Sequence, residues 1–424
     1  MLSLYIHLPF CHRQCQYCSF TIIPIGTTVS HQPLVTDYIT TLCTEIEERG
    51  LRMGPRPLIR TIYFGGGTPS LLDPHDIMTI YETIKKIYDL TALEEICIEC
   101  NPDPHDHVLG FITTLSSYRN NHVKIRRSIG IQTFDPLILR ESGRGYTFGS
   151  VADFLRQLAP LARQATISLC LDFIAFGRLL PEGKTKKLNF WSPQARDFFG
   201  KLLQSHVFDH ISLYALELFE GSPWFHELPD DGRLISGKNK YGDDDAIYQE
   251  YSTIKARLYE AGYHRYELSN YSLLGKEGLH NMQYRTMQDY IGVGIGASSA
   301  VFSPDSVRRL SEHRGITGYV GGYRRTNPKT LATRRNPLMR QSKRLITTLS
   351  SHDKQYETIM LGLRRREGVS IDVFHHAEGV VVPEWQTIMQ ELITHDYVTE
   401  INGYYRLTDR GMDIYNTIIT QLLG

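Results

Sequence analysis

The 424-residue chain has no charge excess, with 46 Lys and Arg standing against 46 Asp and Glu. A general nucleic-acid binder usually carries a basic surplus, so this balance argues against that class. The chain also lacks a long apolar run, and nothing in it approaches the roughly 18–20 residues a membrane span needs. The first ten residues show neither the basic flank nor the small-residue cleavage site of a secretory signal. Cysteine is scarce and odd in number, seven in all, so the thiols cannot all pair. Three of them fall within eight residues, too close together to staple a fold. That pattern predicts a reduced, cytoplasmic protein with a metal site. Internal repeats and low-complexity tracts are absent.

A composition that is 41% hydrophobic gives enough apolar chain for one large domain and a smaller one. Short apolar segments at 2–8, 60–64, 94–99, 124–134, 166–173 and 209–218 read as strands. Helix-like stretches alternate with them at 36–48, 76–88, 136–161 and 245–262. Such alternation means βα units and a parallel sheet, built either as a partial barrel or as an open doubly wound sheet. Segments 177–187 and 221–242 are rich in Gly, Pro and charge and read as long loops. Sheet-like stretches follow at 263–271 and 291–302. Residues 308–344 hold nine Arg and two Lys against the single acid Glu312, a net of +10. A solvated linker is the plain reading, and a cationic patch for an anionic ligand is the sharper one. From residue 353 the pattern becomes helix, helix, hairpin, helix, with Asn402-Gly403 as the hairpin turn. This predicts a winged-helix-like module. The expected organisation is therefore 1–305 for the α/β domain, 306–350 for a basic linker and 351–424 for the C-terminal domain.

The strongest chemical signal is C-x3-C-x2-C, formed by Cys11, Cys15 and Cys18 just after the first strand. Thiolates are soft ligands that suit iron–sulfur clusters or zinc. Three close thiolates without a fourth can hold three irons of a [4Fe–4S] cluster and leave the fourth iron open. The alternative is a zinc knuckle with His7 or His12 as fourth ligand, although zinc sites usually arrive as two separated pairs.

The run from Tyr5 through Cys11 to Phe20 resembles the cluster motif of radical S-adenosylmethionine (SAM) proteins. More narrowly, it resembles the branch containing oxygen-independent coproporphyrinogen III oxidases and HemW-type heme chaperones. The resemblance implies a partial (β/α)6 barrel, a [4Fe–4S] cluster and SAM bound at the open iron. It extends over roughly the first 300 residues and, more weakly, over the C-terminal module. It also implies roles position by position. Gly66, Gly67 and Thr68, in a glycine loop after the second strand, contact the methionyl end of SAM. Glu99, Gln132, Arg144 and Asp172 match further SAM-contacting positions, and a paired structural charge is the equal alternative for Asp172. Tyr5 stands behind cluster and SAM, while Tyr17 and Phe20 shield the cluster and line the adenine pocket. Cys97 and Cys100 alternate to opposite faces of a strand and make a poor chelate. Cys43, on an apolar helix face, is core.

His280, Asn281 and Tyr284 match the HemW-type His-Asn-x-x-Tyr-Trp signature, with Arg285 in place of the tryptophan. The resemblance makes His280 a heme ligand, and Arg285 a group that can meet a propionate. A hydrogen-bonded structural histidine is the alternative. The oxidases carry a fourth cysteine where Phe20 stands, and a longer arm before the motif. Both differences imply the chaperone branch, in which heme is held and passed to heme-accepting proteins. Acceptors on the inner membrane face would add peripheral membrane association. The alternative from the same resemblance is radical oxidative decarboxylation of porphyrinogen propionates, with heme-degrading radical methyl transfer a weaker one. A winged-helix nucleic-acid binder is the alternative from another class.

Overall fold

The computed structural model describes residues 1–26, 33–102, 105–117, 123–165, 167–177, 191–227, 244–303, 322–326, 345–375 and 383–423. Six parallel strands form its centre: β1 (Leu2–Leu8), β2 (Ile59–Gly66), β3 (Glu95–Cys100), β4 (Lys124–Gln132), β5 (Ser168–Ala175) and β6 (His210–Ala215). They pair in chain order, with registers such as Tyr5 beside Tyr63, Glu99 beside Ser128, and Asp172 beside Ser212. Period two divides each strand. In β1, Leu2, Leu4, Ile6 and Leu8 are buried outward under α1 (Pro33–Arg52) and its neighbours, while Tyr5 and His7 face inward. Helix α1 answers with Val35, Ile39, Leu42 and Ile46, the face its sequence period predicts.

Inward side chains from strands β2 to β6 line one shared cavity, so the sheet curls into a partial barrel with β1 on its edge. Beyond β6 the sheet continues as an antiparallel hairpin, β7 (His264–Glu267) and β8 (Asn270–Ser272). Beyond β1 it continues through β9 (Tyr290–Val293), which is parallel to β1, and β10 (Ser298–Val301). Two further strands, β11 (Gly322–Thr326) and β12 (Leu345–Leu349), complete a sheet of twelve.

Three expectations change. The basic stretch is not linker throughout, because β11 lies inside it and pairs on both sides; its other residues lie outside the described ones. The helix expected over 136–161 is two helices, Pro136–Glu141 and Phe148–Ala165. Ser142 closes the first, and Gly143, at φ 78°, turns the chain out of helical geometry. The loop expected over 221–242 opens with a short helix, Pro223–His226, capped by Ser222. Residues 228–242 of that loop, and 178–187 of the other, fall outside the described residues.

The C-terminal region carries a three-stranded sheet, Val369–Ser370, Tyr404–Leu407 and Val398–Ile401, among helices that include Ser351–Gly362 and Pro383–Thr394. Ser350 and Asp353 form a capping box at the first of these helices. Its core is separate from the barrel's, built on residues such as Phe374, Trp385, Met389 and Tyr405. Charges join it to the barrel: Arg265 donates to Asp413 at 2.9 Å and Lys255 pairs with the same carboxylate. Among the described residues no helix is long and apolar enough to cross a membrane.

Candidate functional site

The cysteine loop leaves β1 at the C-terminal end of the barrel, where polar groups of parallel strands converge. Three backbone bonds hold it. The Cys18 amide closes a turn on the Cys15 carbonyl at 3.0 Å. The Gln16 amide donates to Ser142, at the break between the two helices, at 3.0 Å, and Trp224 donates back to Gln16 at 2.8 Å. All three thiols line the barrel cavity. Cys11 Sγ lies 3.3 Å from Thr68 Oγ1 of the glycine loop. Burial pushes the thiols of Cys11 and Cys18 up, to about 12 and about 11. Of the two histidines named as zinc ligands, His7 has both ring nitrogens engaged, whereas His12 uses only Nδ1. His7 places Nε2 2.8 Å from the Thr21 carbonyl and Nδ1 3.1 Å from the Tyr5 hydroxyl. His12 Nδ1 sits 2.6 Å from the Gly26 carbonyl. Among the described residues no three His, Cys, Asp or Glu side chains are arranged to hold a single metal ion.

The glycine loop faces these thiols. Gly66 has φ 110°, and a Cβ there would run into the His7 ring. A Cβ on Gly67 would meet the backbone of Pro9 and Phe10 at 2.6 Å. Glu99 backs the loop: the Tyr63 hydroxyl donates to one carboxylate oxygen at 2.7 Å, and the Gly66 amide to the other at 2.9 Å. Burial raises its carboxyl to about 7, against the pull of those two bonds. Gln132 ends β4 at φ 68°, a left-handed turn that is uncommon outside glycine. Arg144 reaches in from the helix break. It donates to Asn101 at 3.3 Å and to the Gly130 carbonyl at 3.1 Å, and its Nε is buried without a partner. Asp172 takes the Ser128 hydroxyl at 2.7 Å, and burial raises its carboxyl too. Tyr5 stands behind this wall beside Tyr63, ring centres 5.9 Å apart. Tyr17 packs edge-on against Phe176 and tilts toward Trp224. Phe20 is 66% exposed and lines the opening of the cavity.

His280 lies at the opposite end. Helix α2 (Leu279–Arg285) crosses the floor of the barrel, and Glu95 accepts its Leu279 and His280 amides, both at 3.1 Å. The His280 ring is 1% exposed, with Nδ1 2.7 Å from Thr61 Oγ1 and Nε2 2.7 Å from the Tyr284 hydroxyl. Thr61 passes its own hydrogen to Ser3 at 2.8 Å. It therefore accepts from Nδ1–H, and Nε2 accepts from Tyr284. Burial lowers the imidazole to about 3, so the ring is neutral. Both ring nitrogens are engaged, so an axial role would have to displace one of these partners. Arg285 is likewise taken: its Nε donates to the fully buried Glu267 at 2.6 Å rather than facing a propionate site.

Sequence reasoning missed Tyr63, Asn101 and Trp224, which hold the site from outside any motif. Strand alternation puts Tyr63 on the face opposite Phe64 and would have found it. The same alternation puts Asn101 on the face of Glu99, while Trp224 leaves no such trace.

The residues present fit a thiolate-bound cluster and a polar, charged cofactor beside it. Soft donors, a glycine cradle, a buried Arg144 Nε without a partner and two half-buried carboxylates share one cavity of about 990 Å³. A family model described as the radical SAM superfamily matches residues 5–175, and one described as the HemN C-terminal domain matches 349–414. The chain is 27% identical to the heme chaperone HemW of Lactococcus lactis, across 99% of this chain and 97% of that protein. It is 30% identical to the heme chaperone HemW of a Synechocystis species, across 75% of this chain and 69% of that protein. The structure of coproporphyrinogen III oxidase (HemN) from Escherichia coli superposes with a TM-score of 0.69 at 20% identity, covering 99% of this chain and 89% of that one. At that identity the likeness shows the fold. The chain belongs to the radical SAM superfamily and, within it, to the HemW branch.

Proposed function

We propose that this protein holds heme and delivers it to acceptor proteins, with a [4Fe–4S] cluster on Cys11, Cys15 and Cys18 and SAM beside it. The observation that carries this reading is a likeness to heme chaperones that runs the length of the chain. Phe20 supports it, since it stands where the oxidases carry a fourth cysteine. When bound, the cluster supplies one-electron chemistry at the SAM sulfonium. The chain's own groups do the holding. Gly66, Gly67 and Thr68 bring backbone close to the methionyl end, and Glu99 fixes that loop through the Gly66 amide. Arg144 offers its free Nε to negative charge, and Asp172 presents a carboxylate from β5. The rim beyond them is aromatic: Phe20, Phe219 and Tyr248 are each more than half exposed, a surface suited to a flat macrocycle. An axial role for His280 would require Nε2 to release the Tyr284 hydroxyl.

The test is an anaerobic heme titration of the cluster-loaded protein followed by addition of apomyoglobin as a trap. A saturable Soret band that then moves to the trap is the expected result. Absence of a saturable band, or heme that never leaves, would overturn the reading.

A further inference from the structure

A buried cysteine ordinarily behaves as a small apolar residue. Cys170 does not. It is 2% exposed, yet its Sγ lies 2.9 Å from His210 Nδ1, 3.3 Å from Ser212 Oγ and 3.3 Å from Asp172 Oδ1. His210 in turn places Nε2 2.8 Å from the Tyr266 hydroxyl, which accepts the Gly278 amide at 3.0 Å. Strand alternation produces the cluster. Cys170 and Asp172 are two apart on β5, His210 and Ser212 two apart on β6, and the two pairs stand in register. The group is not a metal site, since no three such side chains among the described residues are arranged for an ion.

Counting hydrogens gives the chain a direction. The Tyr266 oxygen already accepts from Gly278, so its own hydrogen is available to His210 Nε2. Burial keeps the imidazole neutral, which leaves its one ring hydrogen on Nδ1, aimed at Cys170. Burial and the neighbouring carboxylate keep Cys170 a thiol, and its hydrogen points to Asp172 Oδ1. The Ser128 hydroxyl donates to the other oxygen of that carboxylate, and Ser212 adds a further bond. The donors run from the floor of the barrel to its mouth, Gly278, Tyr266, His210 and Cys170, and end on the Asp172 carboxylate, which accepts.

We infer that Cys170 is a positioning residue whose S–H, oriented by His210, fixes the Asp172 carboxylate for its contact with SAM. The inference rests on the proposed SAM role of Asp172, and the test separates the two. Infrared spectra of the cofactor-free protein come first, because they need no ligand. The S–H band assigned to Cys170 by subtraction of C170A should sit at the hydrogen-bonded position and move toward the free-thiol position in D172N. A free-thiol position in the wild type would overturn the inference, and this reading stands even where C170A accumulates poorly, since wild type and D172N suffice.

Equilibrium binding of SAM to cluster-loaded protein follows, with iron content and thermal melting as checks on folding. Loss of one hydrogen bond to a charged group corresponds to about a tenfold change. C170A should therefore bind SAM about tenfold more weakly, and C170S, which keeps a donor, should recover most of that loss. D172N weakened with C170A unchanged would overturn the positioning role and leave Asp172 in place. D172N binding as tightly as wild type would overturn the Asp172 reading and this inference together.

Discussion

At the floor of the barrel His280, Tyr284, Thr61 and Ser3 close a line of hydrogen bonds in which both ring nitrogens are used. At the mouth, Arg144 keeps a buried Nε without a partner, and glycines stand where any Cβ would strike a neighbour. Both ends line one cavity, and each keeps a buried guanidinium nitrogen without a partner, Arg126 Nη1 beside Glu95 at the floor and Arg144 Nε at the mouth; what differs is that the floor histidine has both ring nitrogens engaged. Buried polar groups that satisfy each other hold a fold together, whereas an open set at the same depth is stable only with something to receive. The contrast favours ligand binding at the mouth, although the most family-specific motif, around His280, lies on the floor of the same cavity.

Substitutions can break this contrast or sharpen it. The largest effect belongs to the mouth: replacing Cys11, Cys15 or Cys18 with Ala should remove nearly all cluster iron and sulfide, measured chemically after reconstitution. Full iron in all three variants would remove the cluster site from the account. Next comes G66A, which demands a left-handed alanine against the His7 ring. It should cost about 2–3 kcal/mol in denaturant unfolding and weaken SAM binding about tenfold. On the floor, H280A should cost about 2 kcal/mol through lost hydrogen bonds and a cavity, with cluster content unchanged and the heme Soret band in place. A displaced Soret band would restore His280 as a ligand and erase the contrast.

The smallest effect concerns Glu250, which accepts the Phe176 and Gly177 amides at 2.9 and 2.8 Å and so anchors the exit of β5 at the mouth. Burial raises its carboxyl to about 7. Its folded value lies above its unfolded one, so its contribution is fully present below the ordinary glutamate range and is lost as pH rises through about 7. Wild type should lose about 1 kcal/mol of stability from this group between about pH 6 and pH 7, and E250Q should lack that share of the slope. Parallel slopes for the two proteins would show that Glu250 does not carry the shift.

Much of this was legible in the chain. The six barrel strands fall within two or three residues of their expected places, because each alternates an apolar outward face with a polar inward one. The cysteine triad and the glycine loop announce themselves by spacing, and the radical SAM resemblance they carry is the family the chain belongs to. Residues that act across the sheet are less visible. Nothing local marks Glu95 as the acceptor for α2, or Glu267 as the partner of Arg285, since both depend on which strands become neighbours. The break before Arg144 was hidden by apolar residues that keep helical spacing on either side of Gly143. The surroundings of His280 are half legible for a related reason: Tyr284 lies within its local motif, but Thr61, which meets the other ring nitrogen, comes from β2.

The central claim is that this barrel serves heme carriage rather than porphyrinogen oxidation. The most direct measurement incubates cluster-loaded protein anaerobically with SAM, a reductant and coproporphyrinogen III, and follows porphyrinogen and 5′-deoxyadenosine together by mass spectrometry. The account predicts an unchanged porphyrinogen, with a competent cluster verified in the same sample. Loss of carbon dioxide from the propionates would contradict it and make the protein an oxidase.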